Sequence, residues 1–165
     1  YVAGVEFEFL KDFSFLEGIG QDIFMTGNLT VSDSEIELDR QAIVEQTGVS
    51  AAITNAKRRL TGHSKYVVNM QLGYDAPNGN HAATLIYNVF GERIIIPGIE
   101  GQQDAMEQPF HSLDLNYSYF PDFNSSIKLK LKNLLNEEQE ILADNALVRS
   151  KEKGTEFSVQ YTYQF

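Results

Sequence analysis

Three histidines, His63, His81 and His111, are the side chains of this chain best suited to binding a metal or moving a proton. Local metal ligands commonly recur three or four residues apart, and no two of these do. They are expected as polar residues of loops and strand ends. The absence of cysteine removes thiolate metal sites and any disulfide framework. Glu6 and Glu8 stand two apart, so a strand would turn both carboxylates to one side, as an acid–base pair requires. No nucleophile, base and orienting group accompany them, and a wet surface is the expected setting. Lys128, Lys130 and Lys132 repeat that spacing with positive charge, a stripe able to meet an anion, an acidic neighbour or water. Acidic residues collect in three stretches, at Glu35, Glu37 and Asp39, at Glu100, Asp104 and Glu107, and at Glu137, Glu138, Glu140 and Asp144. Grouped carboxylates suit calcium, but the Asp-x-Asp-x-Asp-Gly spacing of a calcium loop is missing. The residues point to no enzyme, no cofactor and no resident metal.

The elements that carry these residues alternate with period two. In the last eleven residues, TEFSVQYTYQF, Phe157, Val159, Tyr161, Tyr163 and Phe165 occupy every second position, with Ser158, Gln160, Thr162 and Gln164 between them. On a strand this makes one apolar and one polar face. The same pattern predicts six further strands. The first sets Tyr1, Ala3, Val5, Phe7 and Phe9 against Glu6 and Glu8, and the second groups Ile23, Met25, Leu29 and Val31. The third groups Tyr66, Val68, Met70, Leu72 and Tyr74, and the fourth, about His81 to Arg93, groups Ala83, Leu85, Tyr87 and Val89. The fifth sets Leu113, Leu115 and Tyr117 against Asp114, broken by Pro121-Asp122, and the sixth sets Ile127, Leu129 and Leu131 against Lys128 and Lys130. Pro77-Asn78-Gly79 supplies a tight turn. Ser50 to Leu60 is the one candidate helix, and 94–109 and 136–154 are expected as long polar loops.

Composition narrows the setting. Mean hydropathy is -0.27 and no run approaches the roughly 20 apolar residues of a membrane-spanning helix. Barrel strands hide their apolarity in such an average. A net charge of -10 argues against nucleic acid as a partner. Long connections after strands two, four and six and short ones after three and five match an outer-membrane barrel, although the first connection, Lys11 to Gln21, is long for the inner side. Aromatics near strand ends suit headgroup levels. An odd count of seven strands with two bare edges predicts part of a barrel, completed by residues or a chain outside this one. Leu113, Leu115, Tyr117, Ile127, Leu129 and Leu131 are then expected to face lipid, and Glu6, Glu8, Asp114, Lys128 and Lys130 the lumen.

A family resemblance sharpens this. The ending from Phe157 to Phe165 resembles the C-terminal signal strand that the outer-membrane assembly machinery reads. RLTGHSKYVVNMQLGYD (59–75) and LIYNVFGERI (85–94) resemble stretches of TonB-dependent outer-membrane receptors. So do Asp104, Glu107, Gln108 and Pro109 followed by Leu113-Asp114, and the KNLLN of 132–136. The resemblance covers roughly the whole chain. It implies the C-terminal portion of an all-β, antiparallel transmembrane β-barrel of 22 strands, with the N-terminal plug domain and earlier strands elsewhere. It also implies a Gram-negative outer membrane, a periplasmic C-terminus, and contact with lipid, lipopolysaccharide and the rest of the barrel. Energy would come from TonB–ExbB–ExbD for uptake of a ferric siderophore, vitamin, oligosaccharide or peptide. The other readings are a structural barrel subunit that scaffolds an outer-membrane assembly, a passive porin and a soluble β-sandwich.

Overall fold

The computed structural model describes residues 1–48 and 54–165. Its elements are β1 (Val2–Asp12), a 3-10 turn (Gly18–Asp22), β2 (Ile23–Ser34), β3 (Ile36–Glu37), α1 (Arg40–Thr47) and β4 (Lys57–Arg58). There follow β5 (Tyr66–Asp75), β6 (His81–Phe90), β7 (Arg93–Ile96), β8 (Ala105–Glu107) and β9 (Phe110–Asp122). The chain closes with β10 (Ser125–Lys132), β11 (Glu138–Ala143), β12 (Ala146–Glu152) and β13 (Glu156–Tyr163). It is all-β, and its sheets are antiparallel.

The seven strands that alternation marks out form one sheet in the order β1-β2-β5-β6-β9-β10-β13, each beside the next such strand in sequence. The sheet is open, with β1 and β13 as its edges. Connections 35–65, 91–109 and 133–155 all leave from one end, called upper here. Connections 13–22, 76–80 and 123–124 lie at the lower end, where Gln164 N–H also donates to the Asn124 carbonyl. Gly79, at φ 71, supplies the positive backbone angle that the Asn-Gly turn needs.

Register gives the sheet a lean. One perpendicular row of paired residues runs Lys11, Met25, Leu72, Leu85, Leu115, Leu131, Phe157. It begins one residue from the lower end of β1 and finishes one residue from the upper end of β13. Measured between strand midpoints, the row climbs about 6.5 residues in six strand steps, roughly 21 Å against 29 Å. The strands therefore tilt by about 37°.

Above this sheet the long connections build structure of their own, which the sequence reading took for loops. β12-β11-β8-β7 form a four-stranded sheet and β3-β4 a two-stranded one. β6 ends at Phe90, and Arg93 begins a strand of the second sheet instead of prolonging the first. Pro121 does not break its strand, because the β9–β10 ladder bulges just there, between Tyr119 and Asp122, and a missing N–H costs little at a bulge. The turn is Phe123-Asn124. The helix lies earlier than expected. Asp39 caps it by accepting from the N–H groups of Gln41 and Ala42, and Gly48 ends it at φ 71. The expected start at Ser50 lies outside the described residues, and 54–60 holds β4 but no helix.

Candidate functional site

Opposed residues in an antiparallel ladder share a face, so the register assigns every side chain of the seven-stranded sheet. One face carries Val5, Phe7 and Phe9, then Met25, Leu29 and Val31, then Val68, Met70 and Leu72, and on through Leu85, Tyr87 and Val89. Leu113, Leu115 and Tyr117 continue it, followed by Ile127, Leu129 and Leu131 and by Phe157, Val159, Tyr161 and Tyr163. Among the described residues, charge enters this face only at its rims, with Lys11 and Asp122 below and Asp33 above. All six residues expected to face lipid lie on it. Phe165 extends past β13 with its ring edge-on to Tyr163.

The opposite face holds Glu6 and Glu8, Thr26, Asn28 and Thr30, Asn69 and Gln71, and Thr84 and Asn88. Ser112, Asp114 and Asn116 follow, then Lys128 and Lys130, then Ser158 and Gln160. The five residues expected to face a lumen share it. Asn69 donates to Asn28 across the strands at 2.6 Å. Phe24, an apparent exception on this polar side, lies over Gly73 directly opposite: a Cβ there would stand 2.1 Å from the ring. Phe9 covers Gly27 on the apolar face in the same way.

The histidines do not converge. His81 Nδ1 and Tyr117 Oη are 2.7 Å apart, and so are His111 Nδ1 and Tyr87 Oη. His63 sits between Ser32 and Ser34. No group of three metal-capable side chains occurs among the described residues. At the upper end Glu35 hydrogen-bonds Lys57, 3.1 Å away, and holds that ammonium above the ordinary lysine range.

The molecule has little core. Buried apolar side chains among the described residues are Val89, Ile94, Ala105 and Phe110. On the apolar face, Phe7 is 62% and Phe157 66% exposed at the edge strands, and Leu72 in a central strand is still 43% exposed. No helix is long and apolar enough to cross a membrane, which says nothing of strands.

The motif residues meet at the upper end. Ser64 Oγ donates to the Gly91 carbonyl at 2.8 Å, and Arg59 to the Glu92 carbonyl at 3.4 Å. Arg93 pairs with Glu107, which is 2% exposed, and Gln139 donates to the other carboxylate oxygen. Asp114 Oδ1 accepts from the backbone of Asn133 at 2.9 Å. Buried Asn133 in turn donates to the carbonyls of Glu137 and Gly154. Sequence reasoning missed this second sheet, although Asp144-Asn145 between ILA and ALV carried a hairpin signal. Both residues adopt φ values of 50 and 60, as a type I′ turn demands.

Comparison with protein-family models, curated proteins and solved structures finds no match to this chain.

Proposed function

We propose that this chain is part of the wall of an outer-membrane β-barrel, the C-terminal strands of a TonB-dependent receptor, and serves active uptake of a scarce nutrient. One observation carries the membrane setting: the apolar face runs across all seven strands with its apolar side chains exposed or half-buried, Val89 being the buried exception. A self-contained protein of 18.6 kDa exposes about 8,200 Å². This chain exposes 10968 Å², an excess of about 2,700 Å² over that estimate and far beyond the few hundred of an ordinary surface patch. A soluble sandwich would lay its second sheet over this face. Here the second sheet reaches the other side instead, where Arg93 stacks on Phe90 and Lys153 on Phe110, two rings of the polar face.

Three further features favour a barrel wall. The tilt of about 37° falls in the range for transmembrane barrels, roughly 35–45°. The three longest connections share one end, and those at the other end are shorter, although 13–22 is longer than the other two there. β5 and β6 have ten residues each, the length a tilted transmembrane strand needs. The transport part of the reading rests on the motif resemblance, and it gains support from the motif residues being hydrogen-bond partners of one another. Closure of the barrel, the plug and the TonB complex belong to the proposal.

These residues include no tryptophan, so once any in the rest of the gene product is replaced by phenylalanine a single introduced one reports cleanly. In the intact gene product folded into vesicles, Leu129→Trp should be quenched several-fold more by acyl-chain-brominated lipid than Lys130→Trp. Equal quenching at the two positions refutes the membrane setting.

A further inference from the structure

We infer that the second sheet carries a binding site for a water-soluble multivalent anion, placed at the upper rim of the polar face. The register of β12-β11-β8-β7 sets Arg149, Ile141, Glu107 and Arg93 in one row, with Lys151 and Gln139 in the next row on the same side. These residues and Ile95 line a half-open cavity of about 350 Å³. Three cations thus surround it against a single carboxylate, in a chain whose net charge is -10. That carboxylate is already engaged, since Glu107 is buried and holds both Arg93 and Gln139. Its effect is to fix Arg93.

Arg93 is held a second time, with its guanidinium carbon 4.0 Å from the centre of the Phe90 ring. A guanidinium clamped by a buried carboxylate and an aromatic face loses little freedom when its remaining N–H groups meet an oxyanion. Arg149 and Lys151 are different. They belong to an exposed edge strand and have no ion pair among the described residues, so their charge is available to a ligand. Two residues apart, they stand about 6.7 Å from one another along the strand. That spacing suits a molecule with two or more anionic groups, such as a diphosphate or a tricarboxylate.

Position decides the source of the anion. Phe90 and Phe110 both point from the polar face, and Arg93 and Lys153 lie over them. The site therefore opens on the side away from the apolar band, where a solute and not a lipid headgroup arrives. Below it on the same face Lys132, Lys130 and Lys128 continue the positive charge down β10, with Lys132 paired to Glu156 and the other two unpaired among the described residues. The inference deepens the proposed transport function by naming a substrate class. Its failure leaves the lipid-quenching result untouched, and the reverse holds as well.

Isothermal titration of the intact chain in detergent tests it, with inorganic pyrophosphate as the phosphate probe and tricarballylate as the carboxylate probe. At least one of them should bind with one-to-one stoichiometry, and the stronger names the preferred anion. Arg149→Gln and Lys151→Gln should each weaken it by about tenfold or more. Both positions are exposed, so neither change endangers folding. Lys65→Gln removes an exposed charge that does not line the cavity and should bind within twofold of the parent. Absence of saturable binding by both probes, or an equal loss in all three variants, overturns the site.

Discussion

Leu129→Arg and Lys130→Gln, side by side on β10, divide the competing accounts of the sheet. Leu129 sits mid-strand on the apolar face, opposite Tyr117 on one side and Val159 on the other. Lys130 faces the other way between Asn116 and Ser158. In the chain by itself Leu129 is only half-buried, so burial alone makes an arginine there nearly harmless, within about 0.5 kcal/mol. Acyl chains in contact with that face change the sum, because an arginine at mid-bilayer depth costs about 2 to 4 kcal/mol. The folding equilibrium then falls about 30- to 900-fold. Lys130→Gln swaps one hydrated group for another and stays within about 0.5 kcal/mol. Urea titration of the protein folded in vesicles, followed by the heat-dependent gel shift of folded barrels, gives both numbers. Costs below about 0.5 kcal/mol at both positions would refute the reasoning.

Three further outcomes follow from local geometry. Gly73→Val drives a side chain into the Phe24 ring and should cost about 1 to 3 kcal/mol, with Phe24→Ala in the same chain recovering part of that loss in a denaturant double-mutant cycle. Asn133→Ala strands the partners of a buried side chain that ties both ends of the 133–155 connection, so it should cost about 1 to 3 kcal/mol. Faster proteolysis confined to that connection is the accompanying readout, and unchanged cleavage would count against the tie. Phe165→Ala, at a fully exposed residue, should leave the denaturant midpoint where it is while slowing assembly in the proposed outer-membrane setting. A lowered midpoint with normal assembly kinetics would make the residue structural instead of a signal.

Much of the main sheet could be read from sequence because each strand buries at most one kind of surface on each face. Phe157 to Tyr163 alternates without interruption and Tyr66 to Tyr74 does so apart from Val67, and period two then fixes both strand and face. Turns failed where local chemistry competes with tertiary context. Pro121 reads as a breaker in isolation and is harmless at a bulge, a feature set by the register of β10. The capped helix after Asp39 was overlooked for a weaker start at Ser50, although Asp39 and Gly48 mark its two ends. The second sheet was hidden for a different reason. Its strands are as short as Ala105–Glu107, and the pairing of Arg93 with Glu107 links residues fourteen apart that no short-range pattern connects. The cationic row of Arg93, Arg149 and Lys151 exists only once that fold is made.

A leaning strand covers less depth than its own length. From Tyr66 to Tyr74 the apolar positions of β5 measure about 26 Å along the backbone, and at the lean of the register they reach down only about 21 Å. An average bilayer interior is about 30 Å thick, and the bacterial outer membrane is thinner than that average. The stagger between neighbouring strands thus acts as a depth gauge. In the proposed membrane setting, acyl chains longer than this band would have to compress to meet it, and short-chained or thinned leaflets would accept it without deformation.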